Sequence, residues 1–277
     1  MDRIAALLAC HNRKEKTLNC LSALMAQEGL HIDFELSVYL VDDRSTDGTG
    51  AAVAERFPSV KVIPGNGHLY WNKGMHAAWQ EAAPGNYDYY VWVNDDTALF
   101  TSSIQLLRTC AKEKKDRAII CGSFCSAQTG EWTYGGQKRT GQDTVPVKPS
   151  GKMEECDIIN GNCVLIPRHV YETVGKLDPV YVHAIGDFDY GLRARKKDIR
   201  IFTTPDYVGY CEKHGSLPKW CLPEYPLRQR ARNLYSPLGN AHPRYYFIFE
   251  YRHFGLFTAV KHYLTIHLRM LIPTLWK

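Results

Sequence analysis

Two β-prone apolar runs each end in adjacent carboxylates. Tyr39-Leu40-Val41 leads into Asp42-Asp43-Arg44-Ser45-Thr46-Asp47-Gly48-Thr49, and Tyr90-Val91-Trp92-Val93 leads into Asn94-Asp95-Asp96-Thr97. Where strands alternate with helices, the carboxyl ends of successive strands lie along one edge of the sheet, and that edge is where such folds bind ligands. Several anions gathered there repel one another and resist desolvation unless a cation joins them. The pattern therefore predicts a divalent metal and a phosphate-bearing ligand bridged by it. Taken singly, each acidic pair has a plainer reading, as a turn or as the cap of a helix. Repetition at successive strand ends favours a site.

The flanking text supports that layout. Residues 4–10 read as a buried strand and 14–28 as a helix carrying Leu18, Leu21, Leu24 and Met25, closed by Gly29. A strand at 34–41, a helix at 49–57, a short strand at 60–63, a helix around 72–83 and a strand at 88–93 complete a β-α-β alternation. Alternation of this kind implies an α/β fold with a mainly parallel sheet and helices on both faces. Residues 118–156, rich in Gly, Thr, Ser and Gln, read as short strands and long loops flanking a site. Beyond them come a strand at 163–166, a helix from Pro167 to Val174, a mobile loop around 178–186, a helix at 187–197 and a strand at 199–203.

At 277 residues, 45% hydrophobic and 23% charged, the chain can bury a substantial core. The apolar run that opens it meets His11, Asn12 and Arg13 too soon for a signal peptide, so a cytoplasmic protein is expected. Nine cysteines without regular spacing fit buried thiols in a reducing compartment. The net charge of +5 hides an asymmetry: from Lys213 onward ten Lys and Arg face two acids, while the first 212 residues carry twenty-four against twenty-seven. Near the end, Phe254 to Ile272 runs without proline, with Phe257, Val260, Leu264, Leu268 and Leu271 at helical spacing. Charges interrupt it, so an interfacial amphipathic helix on the inner membrane face fits better than a crossing one. Nucleic acid is not an expected partner.

The order of motifs adds a resemblance. Ala9-Cys10-His11-Asn12-Arg13 and the Asp42-Asp43 segment are followed by Gly65-Asn66-Gly67-His68-Leu69-Tyr70-Trp71-Asn72-Lys73-Gly74 and Asn94-Asp95-Asp96. Asn160-Gly161-Asn162, Gly175-Lys176-Leu177-Asp178, Gly186-Asp187-Phe188-Asp189-Tyr190-Gly191-Leu192-Arg193 and His214-Gly215-Ser216 complete the series. It resembles the inverting family 2 glycosyltransferases of GT-A fold, and in style the bacterial rhamnosyltransferase-type members that build surface polysaccharides. The match spans a GT-A domain over 1–216, with a nucleotide-sugar half at about 1–100 and an acceptor half at about 101–216. Residues 217–277 then form a basic, aromatic, helical extension.

The resemblance implies roles. Asn12, Arg13, Asp42, Asp43, Lys73 and Asp95 would bind a UDP- or dTDP-linked sugar, and Asp96 with His214 would hold Mg2+ or Mn2+. Asp187 would be the base that inversion requires, and Asn160, Gly161 and Asp189 would meet a glycan or lipid-linked acceptor. This chain departs from the family pattern at Gly186, where a glutamate usually stands. Two other readings compete: a sugar-nucleotide nucleotidyltransferase, which would carry a glycine-rich phosphate loop that His11-Asn12-Arg13-Lys14 is not, and an inactive polysaccharide-binding relative.

Overall fold

Asp2–Cys10 (β1) is buried on both faces: Ile4, Ala6 and Leu8 enter one apolar layer, Ala5 and Leu7 the other. A strand sealed on both sides needs helices above and below it. The computed structural model describes residues 1–140, 143–213, 217–239 and 241–275, and supplies them. Lys14–Met25 (α1), Phe34–Asp42 (β2), Thr49–Arg56 (α2), Lys61–Pro64 (β3), Tyr70–Ala82 (α3) and Tyr89–Val93 (β4) follow in turn. Then come Ala98–Leu99 (β5), Ser103–Glu113 (α4), Ala118–Cys125 (β6), Trp132–Tyr134 (β7), Gln137–Thr140 (β8) and Asp143–Pro146 (β9). Cys163–Pro167 (β10), Arg168–Val174 (α5), Gly186–Arg195 (α6), Arg200–Tyr210 (β11), Leu227–Leu234 (α7), Pro243–Phe254 (α8) and Leu256–Leu271 (α9) complete the chain.

The main sheet runs β3-β2-β1-β4-β10-β6-β11-β5. Its first four strands are parallel, β10 is antiparallel to both β4 and β6, and β6 pairs parallel with β11. Two apolar layers cover it. Leu18, Leu21, Leu24, Val53, Ile104 and Leu107 fill one from α1, α2 and α4. Met75, Ala78, Trp79, Val170 and Tyr190 fill the other from α3, α5 and α6. Trp79 and Trp92, both fully buried, meet at 5.7 Å between ring centroids, and Tyr190 lies 5.1 Å from Trp92. All nine cysteines are free and buried.

The departures from expectation have local causes. The first helix stops at Met25, and Gly29 (φ 80°) forms instead the tight turn into β2 whose carbonyl accepts Asp33 N–H at 2.7 Å. β11 continues seven residues past the expected Thr203 end, to Tyr210, because its irregularity at Thr203 and Tyr207 carries the strand through Pro205. The helix expected over 254–272 forms as the single helix α9, starting just after Gly255 (φ 87°); α8, which precedes that glycine, was not anticipated. The segment around 178–186, expected to be mobile, is pinned: Asn72 Nδ2 donates to the carbonyls of Asp178 and Tyr181, both at 2.8 Å.

Candidate active site

β1, β2 and β4 are adjacent and parallel, so their carboxyl ends open on one edge of the sheet. The loop after β1 brings Arg13 there, and its Nη1 donates to Asp95 Oδ1 and Asp96 Oδ2, both at 3.0 Å. Two carboxylates thus aim an oxygen at a single cationic nitrogen. Thr17 on α1 adds a hydroxyl to Asp95 Oδ2 at 3.4 Å. Burial, reinforced by the Asp96 charge, pushes the Asp95 carboxyl up to about 6 against the pull of Arg13.

The loops after β1 and β2 are stitched together. Asn12, held at φ 51°, accepts Thr46 N–H at 2.7 Å, and its own N–H donates to Ser45 Oγ. Asp42 accepts Ser45 N–H at 3.0 Å and remains half-buried at the edge. Asp43 is buried, and its oxygens accept the N–H groups of Gly67 (2.7 Å), Leu69 and Tyr70 (both 2.9 Å). With both oxygens committed, it shapes the loop that starts α3. Lys73, in the first turn of α3, is half-buried and makes no ion pair among the described residues.

Asp187 stands in the first turn of α6, whose amino terminus favours a carboxylate. Its Oδ2 accepts Gly161 N–H at 2.9 Å and its Oδ1 accepts Phe188 N–H at 3.0 Å. Burial nonetheless pushes its carboxyl up to about 6, which puts its proton exchange close to neutrality. Gly161 in turn lies against the Trp71 ring: a Cβ there would fall 2.4 Å from Trp71 Cζ2 and 3.5 Å from Asp187 Cβ. Trp71 Nε1 donates to Asn94 Oδ1 at 2.7 Å, just before the Asp95-Asp96 pair. One continuous set of contacts therefore runs from Asp187 through Gly161, Trp71 and Asn94 to the carboxylates held by Arg13. Gly161→Ala forces the Trp71 ring to move and costs about 1–3 kcal/mol by overpacking, measurable as a lower urea midpoint with an unchanged slope.

Gly186 also has its reason here. A Cβ at that position would fall 1.8 Å from Asn72 Oδ1, and the Asn72 amide is fixed by the two carbonyls it serves. A glutamate does not fit beside Asn72 as placed. Trp71, Asn72 and Asn94 stand within the sequence motifs, but the sequence alone assigned none of them a role. His183 was missed entirely: its ring lies 6.4 Å from that of Tyr70, and burial, with the Arg13 charge nearby, holds its imidazole below the ordinary histidine range. It sits in an irregular stretch with no periodicity to mark it.

Two predicted site residues need correction or qualification. Asp189 is fully buried and cannot meet an acceptor: its Oδ2 accepts Arg193 Nε at 2.7 Å, and its Oδ1 accepts Tyr181 Oη at 3.2 Å, Arg252 Nη1 at 2.8 Å and His253 Nε2 at 2.9 Å. It anchors α8 to α6. Asn160 turns its Oδ1 toward Gln137 Nε2 at 3.2 Å, tying the segment before β10 to β8. His214 lies outside the described residues.

A family model described as glycosyltransferase like family 2 matches residues 2–236, most of the chain. The chain belongs to that family. Solved structures agree on the GT-A fold. A mannosyltransferase from Pyrobaculum calidifontis, PcManGT, in complex with GDP-Man and Mn2+, aligns over 100% of this chain and 76% of its own with TM-score 0.57 and 14% identity. TarS from S. aureus aligns over 92% of this chain and 44% of its own, with TM-score 0.58 and 17% identity. TarS 1-349 in complex with UDP-GlcNAc aligns over 92% and 73%, with TM-score 0.57 and 16% identity. At such identities the likeness is one of fold. No curated protein matches the sequence.

Members of this family are glycosyltransferases, and the acidic edge can be tested as a cation site. No group of three His, Cys, Asp or Glu side chains is clustered to hold a metal among the described residues. Hard divalent ions, however, need only one or two protein carboxylates when phosphate oxygens and water complete the shell. Asp95 and Asp96 offer that pair, and the Arg13 nitrogen between them stands where positive charge is wanted. The donor set fits Mg2+ or Mn2+.

Proposed function

We propose that this glycosyltransferase moves a sugar from a UDP- or dTDP-linked donor to a hydroxyl of a glycan or lipid-linked acceptor, with inversion, in the synthesis of a bacterial surface polysaccharide. The observation that carries the reading is Asp187, a carboxylate raised to about 6 and joined by contacts to the Asp95-Asp96 edge. A single displacement needs one base on the acceptor side. Asp187 would take the acceptor hydroxyl proton as that oxygen bonds to the anomeric carbon; the bond from that carbon to the diphosphate breaks, and the nucleoside diphosphate leaves with the electron pair. Gly161 N–H and Phe188 N–H would hold the carboxylate in place, while Trp71 excludes water beside it.

On the leaving-group side, Asp96 and Asp95 would hold Mg2+ or Mn2+, which when bound offsets the charge growing on the diphosphate. Arg13 and Lys73 would add positive charge to the same oxygens, and Asn12 and Asp42 would border the nucleoside. The ligands of the structural neighbours, GDP-Man with Mn2+ in one and UDP-GlcNAc in another, support a sugar nucleotide and a divalent ion.

A thermal-shift screen of UDP-, dTDP- and GDP-sugars with Mn2+ tests the donor side. A donor at about a hundred times its Kd adds about 2.7 kcal/mol, a rise of about 5 °C. Asp96→Ala should abolish the Mn2+-dependent part of that rise. An identical shift in EDTA and in Mn2+ would remove the metal from the proposal.

A further inference from the structure

α9 is closed on one side and open on the other. Ala259 and Met270 are buried, and Ile266 packs into the small cluster that Met270 forms with Trp220 and Leu234. Phe257, Val260, Leu264, Leu268 and Leu271 are 84%, 42%, 61%, 42% and 51% exposed. At about 100° per residue these five fall within about an 80° arc, opposite the packed side. The helix is about 24 Å long at about 1.5 Å per residue. A continuous exposed stripe of this kind marks a contact surface, whereas scattered single hydrophobics do not.

Charge decides the occupant. α9 contains no acidic residue, and Lys261 borders the stripe. From residue 217 onward the chain has nine Lys and Arg against Glu224 and Glu250, a balance of +7, and Glu250 is buried. Lys219, Arg228, Arg232, Arg244 and Lys261 are exposed. A second copy would set one such positive region against another, which is repulsive. An anionic lipid surface complements it, offering headgroups to the basic side chains and acyl chains to the stripe. Crossing is not available, since no helix among the described residues is long and apolar enough.

We propose that α9 lies in the plane of an anionic bilayer, with Phe257, Leu264 and Leu268 inserted at the acyl boundary and Lys261 at the headgroups. Such attachment decides where the protein sits and is independent of what it transfers.

Flotation of the full chain with phosphatidylglycerol-phosphatidylcholine vesicles, against pure phosphatidylcholine, tests it. The wild type should float with the anionic vesicles and progressively less so as salt rises. Phe257→Ser with Leu264→Ser should weaken partitioning by at least about tenfold, and Lys261→Glu by about fivefold. Both apolar positions are exposed, so the variants should keep the wild-type Tm. As a second measurement, an environment-sensitive fluorophore on Phe257→Cys should shift to the blue on adding anionic vesicles; the nine native thiols are all buried and leave the label specific. The proposal is overturned if the wild type stays with the soluble fraction at low salt, if the double variant floats equally well, or if the wild type is a dimer that the double variant splits.

Discussion

Replacing Asp187 by Asn slows transfer by about 10²–10⁴-fold and leaves nucleotide binding in Mn2+ nearly unchanged. The amide keeps the volume of the carboxylate but cannot take the acceptor proton. Asparagine satisfies one of the two N–H groups that Asp187 now accepts, from Gly161 and Phe188, and turns its NH2 toward the other. A modest loss of stability, about 1–3 kcal/mol, accompanies the kinetic loss. The groups proposed to hold the donor sit on other elements: Arg13 after β1, and Asp95 and Asp96 after β4. Calorimetric titration of the donor in Mn2+ separates the cases. If the variant loses donor binding together with turnover, Asp187 is a structural residue and the base must be sought elsewhere.

The same carboxyl predicts a pH profile. With its pKa pushed up to about 6, Asp187 is protonated in half of the molecules at that pH, so kcat/KM should rise tenfold per pH unit below about 6 and level off above it. A base at the ordinary aspartate value would give a flat profile over that range. Stability moves the opposite way. A carboxyl raised on folding binds its proton more tightly in the folded state, so its stabilising contribution is full below the unfolded value of about 4 and is lost as pH rises through about 6. Asp95, raised to the same region, shares that sign. Activity should therefore increase through the very interval in which the urea midpoint falls.

The α/β alternation was legible because strands such as β1 and β4 are apolar on both faces, a pattern short enough to be a strand and continuous enough to be central. The acidic edge was legible too, since carboxylates after parallel strands are carried to one side by topology alone. What was not legible depended on contacts between distant residues. Asp43 and Asp189 look like site residues in the sequence, yet one is consumed by the N–H groups of the Gly67–Tyr70 loop and the other by a helix sixty residues away. A one-dimensional pattern shows that a carboxylate is present; it does not show which donors will reach it. The helix over 256–271 was legible from its apolar spacing, whereas α8 was hidden because Tyr, Phe and His have no strong helix signature.

Asp189→Ala should cost about 3–5 kcal/mol and release α8 from α6. Burial by itself would raise this carboxyl; hydrogen bonds from His253, Arg193 and Arg252 outweigh it and hold the pKa at about 2. Its value lies less in net attraction than in what truncation leaves behind. Arg252, bonded also to Asp178 Oδ2 at 2.8 Å, and Arg193 would keep their charges next to an apolar void, with Tyr181 and His253 unpaired. The sign with pH is that of a carboxyl depressed on folding: its contribution is present above about pH 4 and is lost as the pH falls toward 2. Urea unfolding at neutral pH reads the cost, and amide exchange over 243–254 reads the detachment of α8. Because Asp189 lies two residues beyond Asp187 on α6, a loosened α8 should also blur the placement of the base, lowering kcat more than it raises the donor KM. A variant that unfolds at the wild-type urea concentration and keeps slow exchange in α8 would show that the extension is held by its apolar contacts, Phe249 against Tyr181 and Ile185, and not by this buried charge.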